Sequence, residues 1–177
     1  MSQGAFLSIG DVERLLADPS PAARADTAAK VAKAYSAPSL SDTERQLAQA
    51  IVAALSRDAE LRVRQALAEH IKDNPDLPPV IAARLARDVA AVAVPVLRHT
   101  PVLSDDELID LLQSVSPQHQ VAIAGRERIS AGLAGALVSH AAEPAVAVLM
   151  GNRRADVSAP MMARALDRFG DSPAVAE

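Results

Sequence analysis

The sequence predicts an all-α fold, an α-solenoid of repeated helical hairpins, and three observations carry that expectation. Half of the residues are apolar, alanine is abundant, and strand formers never gather in alternating runs, so the intrinsic preferences favour helix throughout. A short pattern occurs twice. Ser116-Pro117 opens Val121-Ala122-Ile123-Ala124, which ends at Gly125-Arg126-Glu127-Arg128 and restarts at Ser130. Glu143-Pro144 opens Val146-Ala147-Val148-Leu149, which ends at Gly151-Asn152-Arg153-Arg154 and restarts at Ser158. Finally, Asp76, Ser104, Ser130 and Ser158 each precede the second helix of a pair at nearly even spacings, which defines a period of about 27 residues.

The elements follow in order. Ser8 with Asp11 opens a short helix, Asp11 to Ala17, and Ser20-Pro21 starts a second one with the apolar stripe Ala28, Val31, Ala32, Tyr35. Ser36 to Leu40 is a loop. Ser41-Asp42-Thr43-Glu44 is a capping box, and Leu47, Ile51, Val52 and Leu55 turn one face of the next helix inward. Asp58 is expected to cap a helix that buries Val63, Leu67 and Ile71 and keeps Arg62, Arg64 and Glu69 in water. Asp73-Asn74-Pro75-Asp76 breaks it, and Pro78-Pro79 starts another helix through Arg87. The first helices of the pairs span Ala59 to Ile71, Val89 to Leu97, Pro117 to Ala124 and Pro144 to Met150. Pro95 predicts a kink or a late start in the second of these. Gly125 and Gly151 suit the left-handed position after a helix end.

This divides the chain into N-terminal helices over 1–57 that cap or begin the array, four repeats over 58–171, and the apparent start of a further repeat over 172–177. Ser172-Pro173-Ala174-Val175-Ala176 matches Glu143-Pro144-Ala145-Val146-Ala147, one period earlier. The chain therefore reads as a fragment of a longer protein, or as an open end that packs against a partner such as a second copy.

Composition excludes several classes of function. There is no cysteine, hence no disulfide framework and no thiolate metal site. Met1 to Ile9 lacks the charge and apolar run of a signal peptide. The apolar window Ile129 to Gly151 is interrupted by His140, Glu143 and Pro144, so it predicts two short buried helices instead of a membrane span. A cytoplasmic, non-membrane protein is expected. The formal net charge of −4 argues against a general nucleic-acid binder, and only three aromatics, Phe6, Tyr35 and Phe169, argue against base stacking.

Leu61-Arg62-Val63-Arg64 with Ala66-Leu67-Ala68, Leu85-Ala86-Arg87-Asp88, Pro95-Val96-Leu97 and Leu103-Ser104-Asp105-Asp106-Glu107-Leu108 form a recognisable series. It continues through His119-Gln120-Val121-Ala122-Ile123-Ala124 and Arg126, with weaker similarity from Asp11 to Leu55. The series resembles a bacterial domain-of-unknown-function family, number twenty-three thirty-six, built of HEAT-like repeats. That resemblance implies an α-solenoid over most of the chain and supplies no catalytic residues.

No residue set forms a reaction centre. Asp105, Asp106 and Glu107 complement the dipole of a helix that Ser104 caps. His70, His99, His119 and His140 show no i, i+4 pair, against a zinc site, and they read as surface histidines. No phosphate loop or nucleophile elbow occurs, so no enzyme activity and no cofactor are expected. Gly132 and Gly135 lie in the uncharged helix Ala131 to Ala141 and cost about 1 kcal/mol each relative to alanine. Close contact with a neighbouring repeat or a partner would explain them.

The candidate site is a surface. Lys72, Arg98 with His99, Arg126 with Arg128, and Arg153 with Arg154 occupy equivalent turns, which stacking would align into a basic ridge; the same cations also complement helix C-termini. On the opposite side, Arg84, Arg87, Glu107, Asp110, Gln113, His140, Arg164 and Arg168 are the polar candidates for contact. Their mixed signs favour a protein partner, which the ridge would suit with an acidic segment. The expected function is a non-catalytic interaction module, scaffold or adaptor; the alternative is a nucleic-acid-binding array that grips phosphates through the ridge.

Overall fold

Ten helices account for the described part of the computed structural model of this chain, residues 20–37, 40–170, 172 and 175. The expected helix Asp11 to Ala17 and most of the partial repeat after Ser172 lie outside the described residues. The helices are α1 (Pro21–Tyr35), α2 (Asp42–Leu55), α3 (Leu61–Ile71), α4 (Pro79–Ala86), α5 (Ala90–His99), α6 (Asp105–Leu112), α7 (Pro117–Ala124), α8 (Ala131–His140), α9 (Glu143–Gly151) and α10 (Ala159–Phe169). Among the described residues the only β pairing is an isolated bridge between Ile129 and Ala155. The fold is all-α, and no helix among these residues is long and apolar enough to cross a membrane.

Local signals explain most of the boundaries. The Ser41–Glu44 and Ser104–Glu107 capping boxes are both formed, each satisfying two N–H groups that a helix start leaves without partners. Proline sits in the first turn of α1, α4, α7, α9 and α10, where its missing N–H costs nothing. Two boundary expectations are corrected. Asp58 does not cap α3, whose N-cap is Glu60; its carboxylate accepts the Glu60 N–H at 2.9 Å and is held by Arg24. Gly125 and Gly151 are not left-handed: no described glycine has positive φ. A side chain at Gly125 would instead crowd the Val121 carbonyl at 3.3 Å and meet the Arg98 guanidinium at an ordinary contact distance of 3.6 Å. Helix α5 runs through Pro95. The carbonyl four residues back belongs to Ala91, which is exposed and can turn to water.

Two rows of helices share one core. In the first row α1 packs on α3, α3 on α5, α5 on α7 and α7 on α9. In the second, α6 packs on α8 and α8 on α10, while α2 rests on α1 and α3, and α4 on α5. Alanines at 0% exposure in the first row, Ala28, Ala32, Ala68, Ala93, Ala124 and Ala145, leave little side chain between neighbours and let the helices approach closely. Leu67, Leu85, Leu97, Leu108, Ile123, Leu133 and Leu137 fill the space between the rows, each contributing about 1.5–3 kcal/mol by leaving water.

Candidate interaction surfaces

Polar bonds run along both ends of the first row. At the N-terminal end, Arg24 of α1 forms a two-bond bridge to Asp58, shortly before α3. Arg64 of α3 repeats this with Asp88, before α5, at 2.6 and 2.9 Å, and also donates to the Asp58 carbonyl at 2.8 Å. Arg64 is therefore not on the wet side, as its helix period suggested. His119 of α7 continues the series: Nε2 lies 2.8 Å from the Asp88 carbonyl and Nδ1 2.7 Å from the Ser116 hydroxyl. At 7% exposure His119 is no surface histidine. Because a carbonyl only accepts, Nε2 carries the proton and donates to Asp88. Gln120, also buried, donates to the Leu112 carbonyl at 2.9 Å and accepts the Ala142 N–H at 2.8 Å, reaching the start of α9.

These bonds explain the shifted carboxylates. Hydrogen bonds from Arg64 hold the Asp88 carboxyl below its usual range against the opposing effect of burial, with help from the Val89 N–H. Burial raises the Asp58 carboxyl, but the hydrogen bonds from Arg24 and the Glu60 N–H outweigh it and the result is again a lowered value.

The turns at the other end contain the predicted basic ridge, and the structure divides it. Arg126 donates to the carbonyls of Leu97 and Thr100, closing the C-terminus of α5. Next along the row, Asn152 does the same for α7 by donating to the carbonyls of Ala124 and Arg126 at 3.2 and 2.9 Å. Lys72 pairs with Glu69, and Arg154 with Glu127. His99 stands 3.7 Å from Asp73. Arg98, Arg128 and Arg153 are exposed and make no hydrogen bond or ion pair with a described residue. Acidic side chains at Asp73, Glu127 and Asp156 are exposed between them, so the line of turns carries both signs.

The second-row candidates separate as well. Arg168 donates to the carbonyls of Val138 and Ala141 at the end of α8 and stacks 4.6 Å over Phe169. The Ser104 N–H and hydroxyl hold the Glu107 carboxyl below its usual range, with a smaller contribution from Arg87; Arg87 itself is exposed and donates to Ala83 of its own helix. Asp110, Gln113, His140 and Arg164 are exposed on their helices or at the ends of them. Helix α8 lies between α6 and α10, with Leu133, Ala134, Leu137 and Val138 buried. Of its glycines only Gly135 is in close contact, 3.4 Å from the Met161 methyl if a Cβ is added; Gly132 faces open space apart from Ser130. Among the described residues no group of His, Asp and Glu could hold a metal ion.

Arg84 leads to a feature that helical periodicity did not reveal. Helices α2 and α4 stand on either side of an open groove of about 350 Å³. Its bed is Ala50, Ala53, Val80 and Ile81; Arg57 and Arg84 lie at its margin with Gln46 and Gln49, and no carboxylate lines it. Val80 is 69% exposed, and Leu47, one turn before Ala50, is 62% exposed, which corrects its inward assignment. The signal for Val80 was present: it falls outside the stripe formed by Ile81, Ala82, Leu85 and Ala86. A further apolar exposure occurs beside α10, where Met162 and Leu166 line a second pocket of about 350 Å³ with Met150, Val157 and Val175.

Neither the curated proteins nor the solved structures contain a match to the chain. A family model does match, and the groove residues and the similarity noted between Leu61 and Asp88 lie before the start of that match. The model is described as "Uncharacterised protein conserved in bacteria (DUF2336)" and matches residues 92–177, so from within α5 onward the chain is similar to this bacterial family.

Proposed function

We propose that the chain is a non-catalytic protein-interaction module, an α-solenoid of HEAT-like hairpins with a period of about 27 residues, acting as a scaffold or adaptor in the cytoplasm. The observation that carries this reading is the groove between α2 and α4. An apolar bed containing the exposed Val80, bordered by two arginines that no described residue pairs, is the composition of a contact surface and not of a solvated helix face. Exposed apolar anchors would supply affinity there, while charges on the rim set orientation and encounter rate. A photo-crosslinking residue at Val80 or Leu47, introduced in the native cell, should capture a defined protein. The same residue at Val148, exposed on α9, should capture much less. Equal labelling at all three positions, or none, would refute the reading.

Arg98, Arg128 and Arg153 sustain a second reading, the nucleic-acid-binding array, because these exposed cations have no partner among the described residues. The interspersed acids and the overall charge of −4 weigh against it. Binding to duplex DNA at low salt should be abolished by charge reversal at Arg128 and Arg153 if it is correct. No binding at low salt disposes of it. Arg126 does not belong in that variant, since its reversal would break the α5 cap.

A further inference from the structure

The groove also indicates what its occupant is made of, an inference that rests on the interaction reading above. The structure assigns it to an amphipathic helix of a partner protein, with an apolar stripe along one face and a carboxylate near the stripe to meet Arg57 and Arg84. Three features lead to this. First, the two walls are helices and no β edge is available among the described residues, which leaves insertion of a helix between helices as the fitting recognition mode. Further along the second row, α6 packs on α8 and α8 on α10; α2 and α4 instead border the open groove.

Second, the charge at the margin has one sign. Neither Arg57 nor Arg84 makes an ion pair or side-chain hydrogen bond with a described residue, in contrast to Arg24, Arg64 and Arg154, which are all paired. Carboxylates on the occupant would complete the pattern, whereas lysines there would be repelled. Third, the size is limited. The shorter wall, α4, has eight residues, or about 12 Å at 1.5 Å per residue, so the matched segment is about two to three turns. An occupant of that length presents anchors at i, i+3 or i+4, and i+7.

The test is a selection on the full chain with a displayed library of helical peptides about four turns long, randomised at every exposed position. Binders are counter-selected against Val80→Asp, whose site is exposed enough for the variant to fold; circular dichroism checks this. Enriched peptides should carry the apolar spacing above with Asp or Glu beside it. Their affinity should fall at least tenfold in Arg57→Glu/Arg84→Glu and stay unchanged in Arg62→Glu, an exposed charge outside the groove. Enrichment of basic or uncharged stripes, or no groove-dependent binder at all, overturns this inference. If Val80 still crosslinks a protein in the cell, the interaction module survives and only its helical, acidic ligand is lost. If crosslinking fails too, both readings fall.

Discussion

Replacing Arg126 by alanine asks whether a turn arginine holds the first row together or stands ready for a partner. Its guanidinium donates to two carbonyls at the end of α5, those of Leu97 and Thr100. The Leu97 carbonyl has no helical donor, because the residue four places on is Pro101, which lacks an N–H. Hydrogen bonds from a charged donor contribute about 1.5–3 kcal/mol each, roughly 3–6 kcal/mol for the pair. Against this stands the cost of burying the charge. Burial indeed pushes the Arg126 guanidinium below its usual pKa, while Asp105 pulls it upward. Water can reach the partly open turn and replace some of the lost bonds, so the expected net loss is about 2–3 kcal/mol. At about 2–4 °C per kcal/mol for a chain of this size, the fall in Tm is about 4–12 °C. Urea unfolding followed by circular dichroism measures the loss, with Arg128→Ala as the reference. Arg128 stands two residues away, exposed and with no partner among the described residues, and its replacement should stay within about 0.5 kcal/mol. Equal stability of the two variants would refute the capping role.

Three further outcomes follow from the same bonds and from the packing around them. Gln120→Leu keeps the volume but leaves the Leu112 carbonyl and the Ala142 N–H without their partner, so unfolding experiments should show a loss of about 2–4 kcal/mol; a neutral result would mean that water replaces the amide. The Asp88 carboxyl titrates lower in the folded chain than in the unfolded one. Its bridge to Arg64 is thus fully stabilising above the ordinary carboxylate range near pH 4 and is lost as pH falls through the folded value. Asp88→Asn should be less stable than the parent at neutral pH, and its urea midpoint should decline less on acidification; parallel curves would show that the bridge does not set the acid response. Gly132→Ala should stabilise the chain by up to about 1 kcal/mol, because the site is exposed and open. A loss there would mean that the glycine serves a close approach absent from this structure.

Helix starts were legible in the sequence because their signals lie within a single turn of the boundary. Ser41 with Glu44, Ser104 with Glu107 and the prolines of first turns act through their own backbone neighbours. The apolar stripes at Val31–Tyr35 and Val63–Ile71 were legible for the same reason, since the helical period is local. The chain alone thus determined an all-α fold of short, punctuated helices. What a given exposed-looking residue does was not determined in this way. Arg126 and Arg128 share one turn and one charge, yet the first closes α5, a helix far back in the chain, and the second faces water. Leu47 belongs to the inward stripe by period, yet in space it is 62% exposed. Such assignments depend on which backbone carbonyl or which neighbouring helix comes near after packing. A hydrogen bond between a turn and the end of a different helix leaves no periodic trace in either segment, so only the tertiary structure could distinguish the arginines that hold the helix rows together from those left for a partner.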